Sequence, residues 1–318
     1  MRCLLIGNYG AGNVGDEALK EYFLVRYPQV EWTVVSASPH GSQEVPRLPF
    51  GLRSFLMTSW WKSLWAYRSS DAVIFGGGSL FTDAESVQAC LLWWLHGFVA
   101  RLFGTPILLA FQGIGPFRTR LGEWTARQII RHARFVSVRD AESAARARAF
   151  GRTDVLESFD PVLLLCPADV PSEPGTVLVV IPRHNSGIAM RAAIRNALTT
   201  RRFSAIHILS MQPESPSECA ICDSIALECG NDASVIAVLT FGDLLGELHD
   251  VSALITERYH GALAGLAAGI PTEIISPCPG DKLDALRRVI ASGVTIDSLR
   301  QRALVGEQEL LKSINMVK

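Results

Sequence analysis

Arg258 and His260 lie two positions apart in the segment TERYHGA (256–262), directly after a short apolar run. Small residues follow from Gly261 onward, and they predict a closely packed helix that begins at this point. A guanidinium beside a helix N-terminus favours anion binding, because its donors and the unbonded backbone amides both attract negative charge. Histidine can also transfer protons near neutral pH. The segment therefore predicts an anion site containing Arg258, His260 and Gly261, with a structural histidine as the alternative.

Three further basic residues follow predicted strands and can bind the same anion. Arg139 precedes Asp140 at a strand end, although a solvated Arg139 beside a helix-capping Asp140 would give the same pattern. Arg183 opens the first loop of the second half of the chain, and Lys282 ends the loop PGDK (279–282). We expect these three side chains to contribute to substrate binding.

The N-terminal strand runs into the loop GNYGAGNVGDE (7–17). Its glycines match the pattern GxGxxG, but they begin too far beyond the strand for a dinucleotide site. The acids at 16 and 17 would also occupy the helix N-terminus where a pyrophosphate binds. Asp16 can cap the helix, yet the loop is richer in glycine than a cap requires. We therefore predict that it contacts substrate, with Asn13 and Asp16 in the site.

A second glycine-rich segment, FGGGSLFTD (75–83), follows another apolar run. Gly76, Gly77 and Gly78 would allow a ligand to approach the backbone closely and would expose its amides. A simple strand-to-helix turn needs one glycine rather than three. The segment predicts substrate binding by the three glycines and by Asp83.

The elements that must position these residues alternate between apolar strands and amphipathic helices. Continuous apolar runs predict strands that are covered on both faces, and short connections predict parallel, doubly wound sheets. The predicted strands are 3–6, 32–36, 72–75, 107–111, 135–138, 177–181, 205–209, 234–238, 253–255 and 272–275. The predicted helices are 16–27, 84–103, 122–134, 141–150, 188–199, 217–228, 241–249, 261–269 and 296–317.

The proline-rich segment PADVPSEPG (167–175) predicts a linker between two domains, 1–170 and 171–318. We expect two Rossmann-like α/β domains that face a cleft, since ligands of such sheets bind beyond the carboxyl ends of the strands. A phosphate-bearing ligand would bind between the domains. The last helix, 296–317, is expected to pack back on the N-terminal domain.

Charge and composition narrow the classes of function. The 318 residues carry a formal net charge of −1 without long runs of like charge, which argues against a broad nucleic-acid surface. The N-terminal apolar run is too short for a signal peptide, and a membrane span would need about 18–20 apolar residues. These features predict a cytoplasmic protein. Seven scattered cysteines indicate neither a disulfide framework nor a metal site.

The segment 50–65, FGLRSFLMTSWWKSLW, is rich in tryptophan and also contains Arg53 and Lys62. Aromatic and basic residues together are typical of helices at a bilayer surface. The alternative is a helix that is buried against the N-terminal sheet.

Taken together, these segments resemble the polysaccharide pyruvyl transferase family in residues that span nearly the whole chain and keep their order. The matching segments are GNYGAGNVGDEAL (7–19), FGGGSLFTD (75–83), QGIGPF (112–117), SVRDAES (137–143), DPVLLL (160–165), ERYHGALAGLAAGIP (257–271) and DKL (281–283). Tyr259 departs from the aliphatic residue expected between the arginine and the histidine.

The resemblance implies a fold like that of GT-B glycosyltransferases, with phosphoenolpyruvate as donor substrate and no separate cofactor or metal. The product would be a pyruvyl ketal on two hydroxyls of a cell-wall or extracellular polysaccharide, or of its lipid-linked precursor. Arginines would clamp the carboxylate and phosphate of the donor. His260 would be either the acid that protonates the donor or a group that binds the departing phosphate. Asp16 would be a base or would bind a sugar hydroxyl, with the acceptor on the N-terminal domain and the phosphate-bearing donor on the C-terminal domain. A lipid-linked acceptor would make a contact of residues 50–65 with the inner face of the membrane useful.

Two alternatives remain at this stage. A GT-B glycosyltransferase that uses a nucleotide sugar would share the two domains, the glycine loop and the basic donor site. A catalytically inactive homologue that binds glycans would share the fold, although it would have no reason to keep Asp16, Arg258 and His260 together. The oligomeric state is left open.

Overall fold

A computed structural model of the protein describes residues 1–50, 52–57, 59–84, 86–167, 175–276 and 280–317. The predicted linker at 167–175 lies almost entirely outside these ranges, as does Pro279 of the predicted Lys282 loop. The chain forms two compact units. Unit 1 comprises Met1–Ala11, Leu19–Pro161 and Leu299–Lys318, and unit 2 comprises Gly12–Ala18 and Val162–Ser298.

Strands and helices alternate along the described chain. The strands are β1 Arg2–Ile6, β2 Glu31–Ser36, β3 Glu44–Pro46, β4 Ala72–Phe81, β5 Ile107–Ile114, β6 Phe135–Val138, β7 Leu156–Glu157, β8 Val177–Ile181, β9 Ala205–Ser210, β10 Ala233–Ala237, β11 Val251–Thr256 and β12 Thr272–Ile274. The helices are α1 Val14–Arg26, α2 Leu52–Met57, α3 Trp61–Ser69, α4 Val87–Leu102, α5 Arg120–His132, α6 Ala141–Ala149, α7 Ile188–Thr200, α8 Pro216–Cys229, α9 Phe241–Gly246, α10 Tyr259–Ala267, α11 Lys282–Ala291 and α12 Ile296–Asn315.

Each unit is built on one parallel sheet. Unit 1 has seven strands in the order β3-β2-β1-β4-β5-β6-β7, and unit 2 has five in the order β10-β9-β8-β11-β12. The chain reverses its direction across the sheet between β1 and β4 in unit 1, and between β8 and β11 in unit 2. These are the points where open α/β sheets bind ligands. The predicted fold class, two doubly wound parallel-sheet α/β domains, is confirmed.

The sheet of unit 1 is covered on both faces, as its continuous apolar strands require. Val73, Phe75 and Leu109 point to one face and form a core with α3, α4, α5 and α6. On the other face, Tyr22 of α1 packs edge-on against Phe111 at 5.7 Å between ring centroids. Full burial of each large apolar side chain contributes about 1.5–3 kcal/mol, so the two cores stabilise the sheet from both sides.

The last helix packs within unit 1 beside α1. Arg26 donates to Glu307 at 2.7 Å, and Arg302 donates to the carbonyl oxygen of Ser158 at 3.0 Å. Gly306 lies against Phe111, because a Cβ at this glycine would lie 2.7 Å from the ring. Unit 1 is therefore assembled from the N-terminal part of the chain and from α12, and most of unit 2 lies between them in the sequence.

Strand β4 is longer than the sequence predicts. The predicted strand ends at Phe75, whereas β4 continues through the three glycines to Phe81. Gly76 pairs with Ala110 and Gly78 with Gln112 before the register shifts. The neighbouring strand β5 supplies this pairing, which a single chain segment does not reveal. The glycines therefore belong to the sheet and not to a loop after it.

The helical layer over unit 1 contains both buried and exposed aromatic residues. In α3, Ala66 and Tyr67 are buried, whereas Trp61 and Trp65 are 62% and 73% exposed. Tyr67 hydrogen-bonds to His96 at 2.5 Å, and burial lowers the pKa of this histidine to about 3. Helix α3 thus buries one side and exposes the other. Within the described ranges, no helix combines the length and apolar character that crossing a membrane requires.

Unit 2 has a smaller core around β8, β9 and β11. Val180, Ile208 and Ile255 pack there with Met190 of α7 and Cys222 of α8. Helix α11 and strands β3 and β7 were not predicted from the sequence. Strands β3 and β7 are edge strands of three and two residues. Such short segments carry too few residues for a periodic pattern.

Candidate functional site

The first turn of α10 presents the predicted arginine and histidine in unit 2. Strand β11 ends at Thr256, whose hydroxyl accepts a hydrogen bond from the Arg258 amide at 2.9 Å and turns the chain into the helix. Helix α10 begins at Tyr259, two residues earlier than predicted, so His260 lies in its first turn. Gly261 allows close packing, because a Cβ there would lie 2.8 Å from Ile181. His260 is therefore held beside the positive end of a helix dipole.

Arg258 joins several loops at the carboxyl edge of the sheet. Its guanidinium forms an ion pair with Glu218 and donates to the side-chain oxygen of Gln212 at 2.8 Å. Its Nε also donates to the carbonyl oxygen of Pro182, after β8, at 3.4 Å. Glu218 is fully buried and accepts from the Gln212 amide at 2.8 Å. The charge of Arg258 is thus compensated by a buried carboxylate, and the residue fixes the edge of unit 2.

The first turn of α1 belongs to the same unit as His260. The Val14 amide donates to the carbonyl oxygen of Met211 at 3.3 Å, and Gly12–Ala18 cluster with unit 2. A Cβ at Gly15 would overlap Nδ1 of His260 and would lie 2.9 Å from its Cε1. The imidazole therefore fits against a position that only glycine can occupy in this arrangement.

Asn13 and Asp16 shape the beginning of α1. The Asn13 side chain accepts from the Gly15 amide at 3.1 Å, and its carbonyl oxygen accepts from the Asp16 amide at 3.0 Å. Asp16 is the third residue of the helix and is partly exposed. The sequence analysis expected Asp16 in the domain opposite His260, whereas the structure groups both residues in unit 2. The reason is that α1 starts beside the β9 loop of unit 2 and continues into unit 1.

Arg183 and Lys282 approach the same edge by different routes. The Arg183 amide donates to the Ser186 hydroxyl at 2.8 Å and to Glu257 at 3.3 Å. Nζ of Lys282 lies 5.6 Å from the centre of the Tyr259 ring, a distance suited to a cation–π contact. Tyr259 in turn meets His260 edge-on at 5.4 Å. Lys282 is therefore connected to His260 through the tyrosine that departs from the family pattern.

The glycine segment of unit 1 supports packing around Tyr9. The Tyr9 hydroxyl donates to the carbonyl oxygen of Gly76 at 3.0 Å, and a Cβ at Gly76 would overlap this hydroxyl. Gly77 and Gly78 have φ values of 88° and 81°, which favour glycine. A Cβ at Gly77 would lie 3.0 Å from Leu19. These contacts give Gly76, Gly77 and Gly78 a structural reason to be glycine, beside the predicted substrate binding.

Asp83 organises the turn before α5. Its carboxylate accepts from the Arg118 amide at 2.6 Å, and from the amide and hydroxyl of Thr119 at 2.7 and 2.6 Å. Burial raises the pKa of Asp83, but these hydrogen bonds outweigh it and hold the pKa below its ordinary value. A Cβ at Gly122 would lie 2.5 Å from the carboxylate. The contacts of Asp83 are those of a structural residue.

Arg139 is the buried cation at the carboxyl edge of unit 1. It donates to the Ser79 hydroxyl at 2.8 Å, while Asp140 and Asp160 lie 3.5 and 3.8 Å away. Gly113 lies against the guanidinium, because a Cβ there would be 2.6 Å from Nη2. Asp140 caps α6 through the Ser143 amide, as the sequence alternative expected. Arg139 itself is only 4% exposed, so the solvated alternative for its side chain is wrong.

The predicted site residues therefore divide between the units. Unit 2 brings together Asn13, Asp16, Arg258, His260 and Gly261, with Lys282 and Arg183 at the same edge. Unit 1 contains Gly76, Gly77, Gly78, Asp83 and Arg139. The sequence analysis did not single out Gly15, Gln212, Glu218 or Glu257. Gln212 lies two residues after the end of strand β9, so a search for polar residues that follow strands could have found it. Glu218 resembles an ordinary acid in the first turn of a helix.

The architecture of two parallel α/β sheets, together with the similar solved structures, places the protein in the GT-B class of folds. Anabaena HepE, solved in complex with UDP and glucose, shares 13% identity, covers 99% of this chain and 100% of its own, and superposes with a TM-score of 0.59. UDP-N-acetylglucosamine 2-epimerase from Rickettsia bellii shares 12% sequence identity. The match covers 99% of this chain and 96% of the epimerase, with a TM-score of 0.56. The lipopolysaccharide outer core galactosyltransferase WaaB shares 14% sequence identity. The match covers 98% of this chain and 99% of the galactosyltransferase, with a TM-score of 0.53. Such low identities show the fold alone.

The sequence itself matches a family of narrower function. The family model of polysaccharide pyruvyl transferase matches residues 13–279, and the chain belongs to this family. The predicted family and the prediction of a transferase are thereby confirmed. No curated protein gives a significant match to the chain.

Proposed function

We propose that the protein transfers the pyruvyl group of phosphoenolpyruvate to two hydroxyls of a glycan and releases inorganic phosphate. Membership of the polysaccharide pyruvyl transferase family supports the reaction class. The donor assignment rests on the chemistry of unit 2, where the groups that favour a small dianion or trianion are concentrated.

The observation that carries the proposal is the meeting of two helix N-termini at Gly15 and His260. Helices α1 and α10 both begin here, but the first four amides of α1 are bonded to Met211 and Asn13, so α10 is the helix that offers its start to an anion. Lys282 lies beside Tyr259 in the same unit and adds a full positive charge. Phosphoenolpyruvate carries a phosphate and a carboxylate on adjacent positions, so the start of α10 and Lys282 offer positive charge to its two anionic groups.

The reaction balances with acid and base catalysis alone. A proton is added to the methylene carbon of the donor, and the adjacent carbon becomes cation-like. One sugar hydroxyl attacks that carbon and loses its proton. The carbon–oxygen bond to phosphate then breaks, and the second hydroxyl attacks and loses its proton. Of the two hydroxyl protons, one balances the proton used to form the methyl group and the other leaves with phosphate.

The proposal gives each residue of unit 2 a distinct task. His260 protonates the donor or stabilises the departing phosphate, with Gly15 setting the place of its ring. Asp16 accepts a hydroxyl proton or binds the hydroxyl. Lys282 and Arg183 bind the donor anion. Arg258 is engaged by Glu218 and Gln212, so we assign it to positioning the α10 start and to balancing charge.

Ligand-induced stabilisation tests the donor before any acceptor is known. Thermal unfolding is measured with phosphoenolpyruvate, with UDP sugars and with GDP sugars. Phosphoenolpyruvate is expected to raise the unfolding temperature because it binds the folded state alone. Stabilisation by nucleotide sugars only would favour the glycosyltransferase alternative and overturn the proposal. Phosphate release and a pyruvyl mass gain on a panel of soluble and lipid-linked glycans then test the transfer itself.

A further inference from the structure

The helices over unit 1 expose large apolar side chains on the side that faces away from the sheet. In α4, Trp93 and His96 are buried, whereas Phe98 is 46% and Leu102 is 72% exposed. Trp94 of α4 stacks on Phe98 at 5.4 Å and meets Trp124 of α5 at 5.7 Å between ring centroids. Trp124 is itself 46% exposed. An aromatic cluster thus joins the outer sides of α4 and α5.

Helix α3 packs next to α4 and also exposes aromatic side chains. Its Trp61 and Trp65 are separated by four residues, so they share one side of the helix, and both are largely exposed. Monomeric proteins seldom expose this many large apolar side chains together without a partner. Three neighbouring helices therefore present aromatic residues outward from one layer of unit 1.

Basic residues border the aromatic cluster. Arg120, Arg127 and Arg131 are exposed and lie on the same side of α5 as Trp124, at spacings of four, three and seven residues from it. Glu123 is the acidic residue of this helix. Residues 50–132 contain eight lysines and arginines and four acids, whereas the whole chain has a net charge of −1. The segment that carries the exposed aromatics therefore has more basic than acidic residues.

We propose that this surface, formed by Trp61, Trp65, Phe98, Leu102, Trp124, Arg120, Arg127 and Arg131, binds an anionic lipid bilayer. Tryptophan and phenylalanine insert at the level of the headgroups, and arginines pair with acidic lipids. From the sequence, segment 50–65 was open to either a bilayer contact or burial against the sheet, and the proposed surface adds α4 and α5 to the first alternative. Lipid binding does not depend on the donor assignment; its use, delivery of a lipid-linked acceptor, rests on the proposed function.

Vesicle co-sedimentation tests the electrostatic part. The full-length protein is expected to bind vesicles of equal parts phosphatidylglycerol and phosphatidylcholine, and to bind pure phosphatidylcholine more weakly. Each basic residue near an anionic surface contributes ~1 kcal/mol, so the triple variant Arg120→Gln, Arg127→Gln, Arg131→Gln should bind on the order of 100-fold more weakly. The matched control is Arg195→Gln, Arg201→Gln, Arg202→Gln in unit 2, where three exposed arginines are neutralised. Equal losses in both triples would overturn the proposal.

The apolar part is tested separately by Phe98→Ser with Trp124→Ser. Its control is Ile188→Ser with Leu227→Ser, two side chains of unit 2 that are 84% and 86% exposed. Circular dichroism confirms the fold of each variant. Loss of vesicle binding in the first pair alone supports the proposal. Unchanged vesicle binding, or a dimer in sedimentation that only the first pair dissociates, overturns it and assigns the surface to a second copy of the chain.

Transfer to a soluble glycan separates this proposal from the proposed function. The surface variants are expected to keep wild-type pyruvyl transfer to a soluble acceptor, because none of the substituted residues lies at the carboxyl edge of unit 2. If no variant or wild-type protein transfers pyruvate while vesicle binding behaves as expected, the proposed function fails and the lipid surface stands.

Discussion

Arg139 of unit 1 and Arg258 of unit 2 both follow a parallel strand, and they are only 4% and 8% exposed. Arg258 is paired with the buried Glu218 and bonded to Gln212 at 2.8 Å. Arg139 donates to the Ser79 hydroxyl at 2.8 Å and forms ion pairs with Asp140 and Asp160 at 3.5 and 3.8 Å. Coulomb attraction falls with distance, so each of these two ion pairs is weaker than the close pair between Arg258 and Glu218. Equivalent sequence positions thus serve different electrostatic purposes.

The glycines of the two edges differ in a similar way. At Gly76 the missing side chain makes room for Tyr9, and the contact builds the interior of unit 1. At Gly15 it makes room for His260, the residue best suited to proton transfer. A glycine in a glycine-rich segment therefore indicates close approach of some group, and only the structure tells whether that group is part of the core or of the site.

The largest expected effect is on His260, if the edge of unit 2 carries the chemistry. His260→Ala should lower kcat by about 10²–10⁴-fold, the usual contribution of a positioned acid or base. The control is His184→Ala, because His184 is exposed in the same unit. Phosphate release in the presence of phosphoenolpyruvate and an acceptor is the measurement. Equal activity of both variants would remove His260 from the mechanism.

The ion pairs of the two arginines can be compared by double-mutant cycles. Glu218→Gln leaves Arg258 with an uncompensated buried charge, which should cost about 3–5 kcal/mol of unfolding free energy. Asp160→Asn should cost less, because its oxygen stands 3.8 Å from Arg139. Urea unfolding of each single variant and of the doubles with Arg258→Met and Arg139→Met gives the coupling energies. A larger coupling for the unit 1 pair would reverse the comparison.

A methyl group at Gly15 should disturb the site without removing a functional group. Gly15→Ala places a Cβ within the space of the His260 ring, and overpacking of this kind costs about 1–3 kcal/mol. We expect a fall in kcat that exceeds the change in KM. Gly187→Ala is the control, since its φ is −125° and its Cβ would meet no atom within 4 Å. Full activity of Gly15→Ala would show that His260 tolerates displacement.

The smallest effect is predicted for Asp83 and is confined to stability. Asp83→Asn should cost about 1–2 kcal/mol through weakened hydrogen bonds to Arg118 and Thr119, with kcat unchanged. The folded pKa is lowered, so the carboxylate stabilises the protein above about pH 4, its unfolded pKa, and this stabilisation is lost as the pH falls through the folded pKa. The wild type should therefore lose its advantage over the variant in acid. Asp154→Asn, at an exposed ion pair, is the control for urea unfolding. A lower kcat at unchanged stability would contradict this structural role and would support the predicted substrate binding by Asp83.

The fold was predictable because its strands are apolar throughout and alternate with amphipathic helices. The Arg258 and His260 segment was predictable because it follows such a strand. Three features were not predictable, and each depends on a distant segment. Glu218 meets Arg258 across 40 residues of sequence, β4 continues through its glycines because β5 pairs with it, and Gly15 receives a ring from residue 260.

The return of α12 to unit 1 has a consequence for dissection of the chain. A fragment spanning 162–298 contains the whole sheet of unit 2 but lacks Gly12–Ala18, which cluster with it. A fragment ending at 161 would lack α12, and with it the partner of Arg26. No single cleavage point yields both units whole. We therefore expect that independent study of unit 2 requires a covalent graft of the α1 start, and that proteolysis between the units leaves two pieces that remain dependent on each other.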